Sequence, residues 1–393
     1  MEIQSTRDFK TRTRYIQKKN ISAAGVWPIA IDIGYSSVKT ISPNCIGVFP
    51  SFARPRDGAE IALRRPRPSD ILYRASGVIW NVGELASNAL ELNDVSDSVN
   101  TLYARQRYQN PMFLVLTRVG LAMAMRVNKF GGKSDKDRIV IQSGLPAAYK
   151  RTDAKDLLSI ITGHHEYEIK FGDEQWRKYD FEIETSAVNI IQQPLGAFFS
   201  TCLDNGAGIT GLGNTIRKSE AVLLDGGFGT VDCCRISGKT NKISGVETYP
   251  DKGMKEIFSR TLNEIEKEYG TEIAVHAIQR YLDTGTIPVL DRVNRKRSNV
   301  SFSEILLRQV HIVCQEMLEK MELAYNSFLD IDYIIVAGGT SAACYSQIVT
   351  RYKDMAGLQI IKSNQDHSLP EIYDVVRGYY LFLVSNLRKN SKK

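Results

Sequence analysis

No GxxxxGK[ST] segment occurs in this 393-residue sequence, and no GxGxxG follows its first apolar strand. The first absence argues against a P-loop nucleotide site, and the second against a Rossmann dehydrogenase. The six cysteines, Cys45, Cys202, Cys233, Cys234, Cys314 and Cys344, never form a CxxC arrangement, and the five histidines show no zinc-ligand spacing. That pattern speaks against a metal chelate or a disulfide scaffold and for thiols in a reducing compartment. The neighbours Cys233 and Cys234 alternate faces if they lie on a strand. Long apolar runs are also missing. Residues 111–127 come nearest, but Arg118 and Arg126 interrupt them, so a buried helix opened by Pro111 is expected rather than a membrane span. The leading stretch has no continuous apolar region of the kind found in secretory signals. A cytoplasmic protein without a membrane partner is the expectation.

What is present suits globular domains. At 43% hydrophobic and 24% charged residues, the chain can bury sizeable cores, and its length fits about two or three domains. The net charge is +7, and residues 1–27 carry six basic residues against two acidic ones, a local +4. A solvated, flexible basic arm is the plain expectation there, with contact to an acidic partner or nucleic acid as the alternative.

Two short segments repeat one chemical pattern. Asp32-Ile33-Gly34-Tyr35-Ser36-Ser37-Val38-Lys39 and Asp225-Gly226-Gly227-Phe228-Gly229-Thr230-Val231-Asp232 both read Asp, x, Gly, aromatic, x, hydroxyl, Val, charged. Each follows an apolar run, so each aspartate is expected where a strand enters a turn. Glycines allow close approach of a ligand, and hydroxyls with backbone N–H groups can surround phosphate oxygens. Two carboxylates facing a polyphosphate would repel it unless a divalent cation, usually Mg²⁺, lay between. A third segment, Ile334–Ser341, is another apolar strand ending in glycines and hydroxyls, Gly338-Gly339-Thr340.

These three segments, in this order and at these separations, resemble the actin superfamily, with two phosphate loops and an adenosine-side loop. Within it the chain looks most like the bacterial plasmid-segregation actins (ParM/Alp-like). Gln192-Gln193-Pro194-Leu195-Gly196-Ala197-Phe198 resembles their first connecting segment, Asp374–Tyr379 stands where the second would be, and Arg138–Pro146 resembles their strand ending in Gly-Leu-Pro. The resemblance implies an actin-like two-lobed α/β ATPase fold with a central nucleotide cleft and a duplicated core. Its expected parts are residues 1–27 as the arm, 28–220 as domain I, 221–368 as domain II, and 369–393 as a helix returning to domain I.

It also implies roles. Asp32 and Asp225 would hold Mg²⁺, through water. Gly34, Ser36, Ser37, Lys39, Gly226, Gly227, Gly229 and Thr230 would surround the phosphates, with Lys39 beside the β- and γ-phosphates, and Gly338, Gly339 and Thr340 would approach the ribose or α-phosphate. Gln193 would position the attacking water, with Gln192 the alternative register, and Asp232 is a second candidate for that task. Arg377, read from its charge alone, would approach nucleotide or bridge the lobes, or, more plainly, form a surface salt bridge. ATP/ADP with Mg²⁺ is the implied cofactor set, GTP/GDP being the other option. The implied function is a nucleotide-dependent filament that segregates plasmid DNA, with self-association into polar filaments and a DNA-binding adaptor joining them to centromere-like DNA. Another bacterial or phage cytomotive filament, or a soluble sugar or small-molecule kinase with the same fold, are the alternatives.

Between the motifs, Arg54–Pro68 and Arg292–Arg297 read as exposed basic loops. Met254–Tyr269 and Glu272–Tyr281 have helical spacing. Ser303 is expected to cap a long helix toward Phe328, with Phe302 and Leu307 as a hydrophobic staple.

Overall fold

The computed structural model describes residues 5–56, 64–89, 107–240, 242–291 and 295–390. Among them the chain forms two compact units. The first comprises residues 11–89, 107–213 and 364–390, and the second comprises residues 5–10 and 214–363.

The first unit is built on a six-stranded mixed sheet. Its order is β1 (Arg14–Gln17), β4 (Cys45–Pro50), β3 (Ser37–Ser42), β2 (Val26–Ile33), β8 (Arg138–Leu145) and β11 (Val188–Gln192). β2 and β11 run parallel to β8 on either side of it, whereas β1, β4, β3 and β2 pair antiparallel. From Trp27 to Ile33 every residue of β2 is buried, as a strand covered on both faces requires. Helix α1 (Pro111–Met125) packs against β2, β3 and β4. The Asn110 side chain accepts from the Met112 N–H at 2.9 Å, and Pro111 fills the first helical position, where no N–H is needed. Helices α2 (Lys150–Ile161) and α3 (Gln193–Cys202) follow in the same unit. A second sheet, β5 (Ala53–Pro55), β6 (Ile71–Ala75), β7 (Val78–Val82), β9 (Gly163–Phe171) and β10 (Arg177–Ile183), has the order β10-β9-β6-β7-β5.

The second unit has a five-stranded sheet of order β14 (Lys242–Tyr249), β13 (Val231–Ser237), β12 (Glu220–Gly226), β17 (Tyr333–Ala337) and β18 (Gln359–Lys362). β12 and β17 are parallel, and β13 shifts register against β14 between Cys233 and Arg235. Helices α4 (Met254–Tyr269), α5 (Ser303–Ala324) and α6 (Gly339–Tyr352) belong here, with the hairpin β15 (Thr286–Asp291) and β16 (Lys296–Ser301). α4 stops at Gly270, whose φ of 63° gives the left-handed cap that glycine supplies without strain. Met317 and Met321 of α5 are core residues. All six cysteines are free and buried, and Cys233 and Cys234 are both covered although they point to opposite faces of β13.

Several expectations are corrected. The basic leading stretch is folded from residue 5. Phe9 inserts among Phe258, Phe302 and Leu282 of the second unit, and the Thr6 hydroxyl donates to the Leu282 carbonyl at 2.7 Å. Residues 14–17 add strand β1 to the first unit, where Lys18 pairs with Asp366 at 2.7 Å. The basic residues therefore flank buried apolar anchors, and the boundary between the units falls at 213/214 rather than 220/221. Ser303 is the first helical residue of α5, with Phe302 in the cap position. Phe302 is fully buried while Leu307 is 38% exposed, so the core takes the phenyl ring and no staple forms. Of Glu272–Tyr281 only a 3-10 turn, Val275–Arg280, is helical, because Ala277 and Ile278 are drawn into the core over a single short turn. The strand Ala53–Pro55 takes the first two residues of the expected loop at 54–68, whose residues 57–63 lie outside the described residues. Lys296 and Arg297 likewise belong to β16, and residues 292–294 lie outside the described residues.

The last helix, α7 (Asp374–Asn390), packs on α3 and β2 in the first unit. No helix among the described residues is long and apolar enough to cross a membrane.

Candidate functional site

In the first unit, the carboxyl ends of β2, β8 and β11 come out together. Ala30 lies opposite Gln142 and Gln192 opposite Leu145, so Asp32 and the Gln192-Gln193 step reach the same end of the sheet, on either side of β8. Two strand spacings put them about 10 Å apart in the sheet plane. Carboxyl ends of parallel strands are where open α/β sheets receive ligands. Gln193 opens α3, and both glutamine side chains are half-buried.

The first aspartate turn is a tight hairpin. Asp32 and Lys39 are cross-strand partners, and the Lys39 Nζ donates to Asp32 Oδ2 at 2.8 Å with both side chains largely buried. The Gly34 N–H donates to the Ser37 carbonyl at 3.1 Å and closes the bend. Ser51 holds it from outside, its hydroxyl donating to the Gly34 carbonyl (2.7 Å) and its N–H to the Ser36 carbonyl (2.9 Å). Ser37 is fully buried, and its hydroxyl has no hydrogen-bond partner among the described residues.

The second turn repeats this backbone in the second unit. Asp225 and Asp232 are cross-strand partners, and the Gly227 N–H donates to the Thr230 carbonyl at 2.9 Å. Here a carboxylate, not an ammonium, faces the aspartate. Asp232 accepts from the Thr248 hydroxyl (2.6 Å) and the Thr230 hydroxyl (3.1 Å). Burial pushes its carboxyl above the usual carboxylate range, and the two hydroxyls work against that shift. The carbonyls of Gly227 and Phe228 accept from the first N–H groups of α4, at Met254 (3.3 Å) and Lys255 (2.9 Å). Orphan donors of a helix start thereby fasten the turn.

The third segment lies directly on the second turn. Gly338 has a φ of 78°, and a Cβ there would stand 2.5 Å from the Gly226 carbonyl and 2.7 Å from Asp225 Oδ1. The Thr340 hydroxyl donates to the Gly227 carbonyl at 2.6 Å, so it ties two loops together. Ser341 is fully buried with an unpartnered hydroxyl beside Gly226. A Cβ on Gly339 would meet nothing within 4 Å. Sequence reasoning missed Ser51 and Thr248 and gave Ser341, at the end of the third segment, no role; only strand register and loop contact bring them to the turns.

Arg377 is corrected. It is 4% exposed and donates to the carbonyls of Ser200 (2.7 Å) and Leu203 (3.1 Å), the Ser200 hydroxyl (3.0 Å) and Asn205 Oδ1 (3.0 Å). It thus binds the otherwise orphaned end of α3 and is not a surface ion pair. One residue on, a Cβ on Gly378 would fall 1.7 Å from the Gly196 carbonyl, so α3 and α7 touch backbone to backbone.

Among the described residues no three His, Cys, Asp or Glu side chains gather as a metal cage. Taken singly, each turn offers buried carboxylate oxygen, from Asp32 in the first and from Asp225 and Asp232 in the second, among glycines and hydroxyls, donors of the kind that suit a hard cation such as Mg²⁺.

Residues 30–196 match the family model for the N-terminal domain of actin-like proteins. No curated protein sequence matches the chain. Among solved structures, a non-polymerisable quadruple mutant of pCBH ParM is 19% identical with a TM-score of 0.68, over 91% of this chain and 98% of that one. A ParM filament from Clostridium botulinum is 17% identical with a TM-score of 0.62, over 93% and 99%. An archaeal actin homologue in complex with ADP is 16% identical with a TM-score of 0.59, over 94% and 100%. The chain therefore has the α/β fold of the actin superfamily, shared at low identity with ParM- and Alp-type actin homologues over nine-tenths of its length.

Proposed function

We propose that the chain is a Mg²⁺- and nucleotide-dependent actin-like ATPase that assembles into polar filaments and segregates plasmid DNA through a DNA-binding adaptor. The observation that carries the nucleotide part is the repeated turn, an aspartate at a strand end followed by a glycine N–H bonded three residues on, present once in each unit. Asp32 and Asp225 would hold Mg²⁺ through water, and the bound cation would neutralise charge on the transferred phosphoryl group. Lys39, released from Asp32, would face the β- and γ-phosphates, with Gly34, Ser36, Ser37, Gly226, Gly227, Gly229 and Thr230 lining the phosphates. The unpartnered Ser37 hydroxyl supports that assignment, because a buried hydroxyl costs free energy until something bonds it. Gly339 is open for ribose or α-phosphate, while Gly338 and Thr340 hold the loop that presents it. Gln193 would orient the attacking water, since phosphoryl transfer depends on positioning more than on a strong nucleophile. Asp232 would assist from the second turn.

The filament part draws on what the similar proteins are described as, a ParM filament and an Alp12 filament. Electron microscopy of purified protein with ATP, GTP, ADP and no nucleotide, alongside sedimentation and phosphate release, tests it. Triphosphate-dependent filaments that disassemble after hydrolysis are expected, with Gln193→Ala binding nucleotide but releasing phosphate slowly. Monomers under all conditions would rule the filament out, and ATP consumption stimulated by a sugar would indicate a kinase.

A further inference from the structure

Arg107 starts the short 3-10 turn Arg107–Gln109 that leads through Asn110 into α1. It is only 6% exposed, and the acidic group that acts on its cluster, Asp153, does so through the neighbouring Tyr108 phenol. Buried guanidinium groups are ordinarily paired with carboxylates, because a charge taken out of water needs compensation. Here aromatic rings surround it. Its Cζ is 4.2 Å from the ring centroid of Tyr35, 5.1 Å from Phe113 and 5.5 Å from Tyr108. Tyr108 and Phe113 are themselves edge to face at 5.0 Å. Burial raises the Tyr108 phenol, and the Arg107 charge beside it opposes that shift.

Tyr35 is the aromatic residue inside the first aspartate turn. Its neighbours are Gly34, whose N–H closes the bend on the Ser37 carbonyl, and Ser36, whose carbonyl accepts from the Ser51 N–H. Anything that fixes the Tyr35 ring therefore fixes the backbone between Gly34 and Ser37. In the second turn the corresponding ring, Phe228, packs against Phe258 at 6.1 Å, and α4 holds the backbone by hydrogen bonds. Among the described residues no helix start donates to the carbonyls of the first turn, which Ser51 holds instead.

We infer that Arg107 is a positioning residue for nucleotide binding, holding the first phosphate turn in its binding shape by stacking on Tyr35. The inference rests on the nucleotide reading above. Stacking on an aromatic face uses the planar guanidinium, which an ammonium does not reproduce. A cation already committed to ring faces also leaves Lys39 as the mobile charge of the turn, free to exchange Asp32 for phosphate.

The test compares Arg107→Met, Arg107→Lys, Tyr35→Leu, Tyr35→Phe and the double variant Arg107→Met/Tyr35→Leu in full-length protein. Mg–ATP and Mg–ADP affinities are measured by calorimetry, KM and kcat by phosphate release, and melting temperature without nucleotide. Arg107→Met and Tyr35→Leu are each expected to weaken nucleotide binding about tenfold, with the double variant no weaker than either alone. KM should rise more than kcat falls, since ground-state positioning is lost. Tyr35→Phe, which keeps the ring, should recover most of the affinity that Tyr35→Leu loses, and Arg107→Lys only part of it. Unchanged affinity in Arg107→Met and Tyr35→Leu, with or without a lower melting temperature, overturns the inference alone, as does a double variant whose loss is the product of the two singles. If Arg107→Met does not fold, the Tyr35 pair and Arg107→Lys decide. Absence of nucleotide binding by the unmodified protein overturns the inference together with the reading beneath it.

Discussion

The two aspartate turns keep the same backbone and part company in what stands across from the aspartate. Gly34 and Gly227 bond the carbonyl three residues on, at 3.1 and 2.9 Å, and a Cβ at either would sit 3.0 or 3.2 Å from that carbonyl. Asp32 faces Lys39, whereas Asp225 faces Asp232. The first turn neutralises its aspartate with an ion pair. The second gathers negative charge and satisfies it with the hydroxyls of Thr230 and Thr248. They also differ one position after the aspartate. Ile33 points into the core, but Gly226 has no room for a side chain, since a Cβ would stand 2.2 Å from Ser341 Oγ and 2.4 Å from its nitrogen. The comparison teaches that a repeated turn preserves its hydrogen-bonded bend, while the residues around the bend carry the division of labour.

Removing the second aspartate breaks the comparison hardest. Asp225→Ala is expected to lower kcat for phosphate release by about a hundredfold or more, the scale of losing one preorganised stabilising group, while the exposed Asp156→Ala serves as control. Next, Lys39→Met should destabilise the protein by about 3 kcal/mol, because it strands a buried carboxylate. Adding Asp32→Asn should recover much of that stability without recovering nucleotide affinity, as urea unfolding and calorimetry would show. The glycine contrast is smaller. Gly226→Ala should cost about 2 kcal/mol through collision with the backbone of Ser341, and Gly34→Ala less than about 1 kcal/mol, both read from unfolding midpoints.

The pH dependence is the finest test. The folded carboxyl of Asp232 lies above its ordinary 3.8, so the folded state keeps a proton that the unfolded state has lost. Its contribution to stability is therefore most favourable below 3.8 and falls as pH rises through the elevated folded value. Unfolding curves taken from about pH 4 to pH 7 should show Asp232→Asn gaining on the unmodified protein as pH rises. A constant difference across that range would mean that Asp232 ionises as an ordinary carboxylate.

Local chemistry made much of this legible in advance. The strands carrying Asp32, Asp225 and Ala337 are short apolar runs broken by glycine, and α4 was readable from Met254 to Tyr269 because its apolar residues keep helical period. What escaped was set by distant partners. Phe9 is core only because Phe258 and Phe302 receive it, and nothing near Phe9 in sequence announces them. Arg377 reads as a surface charge until the carbonyls of Ser200 and Leu203 are beside it. Thr248 reaches Asp232 through the pairing of β13 with β14, a register that the sequence leaves open. Ser303 misled because capping preference is a weaker force than burying the phenyl ring of Phe302.

The strand β1 has one more consequence. It adds Arg14–Gln17 beside β4, so the sheet ends on four residues, with Lys10, Arg12, Arg14, Lys18 and Lys19 in and around them, instead of on the six buried residues of β4. In the other unit the margins are similarly poor templates: β18 has only four residues, and the pairing of β14 is interrupted by a register shift, with Gly245 at a φ of 53°. Any chain that crowds against copies of itself risks strand-to-strand pairing into amyloid-like aggregates, and short, charged or bulged borders suppress that route. At these three borders, contacts between copies of this chain would then rest on side chains, which can be specific and reversible, more than on open backbone ladders, which drive irreversible clumping.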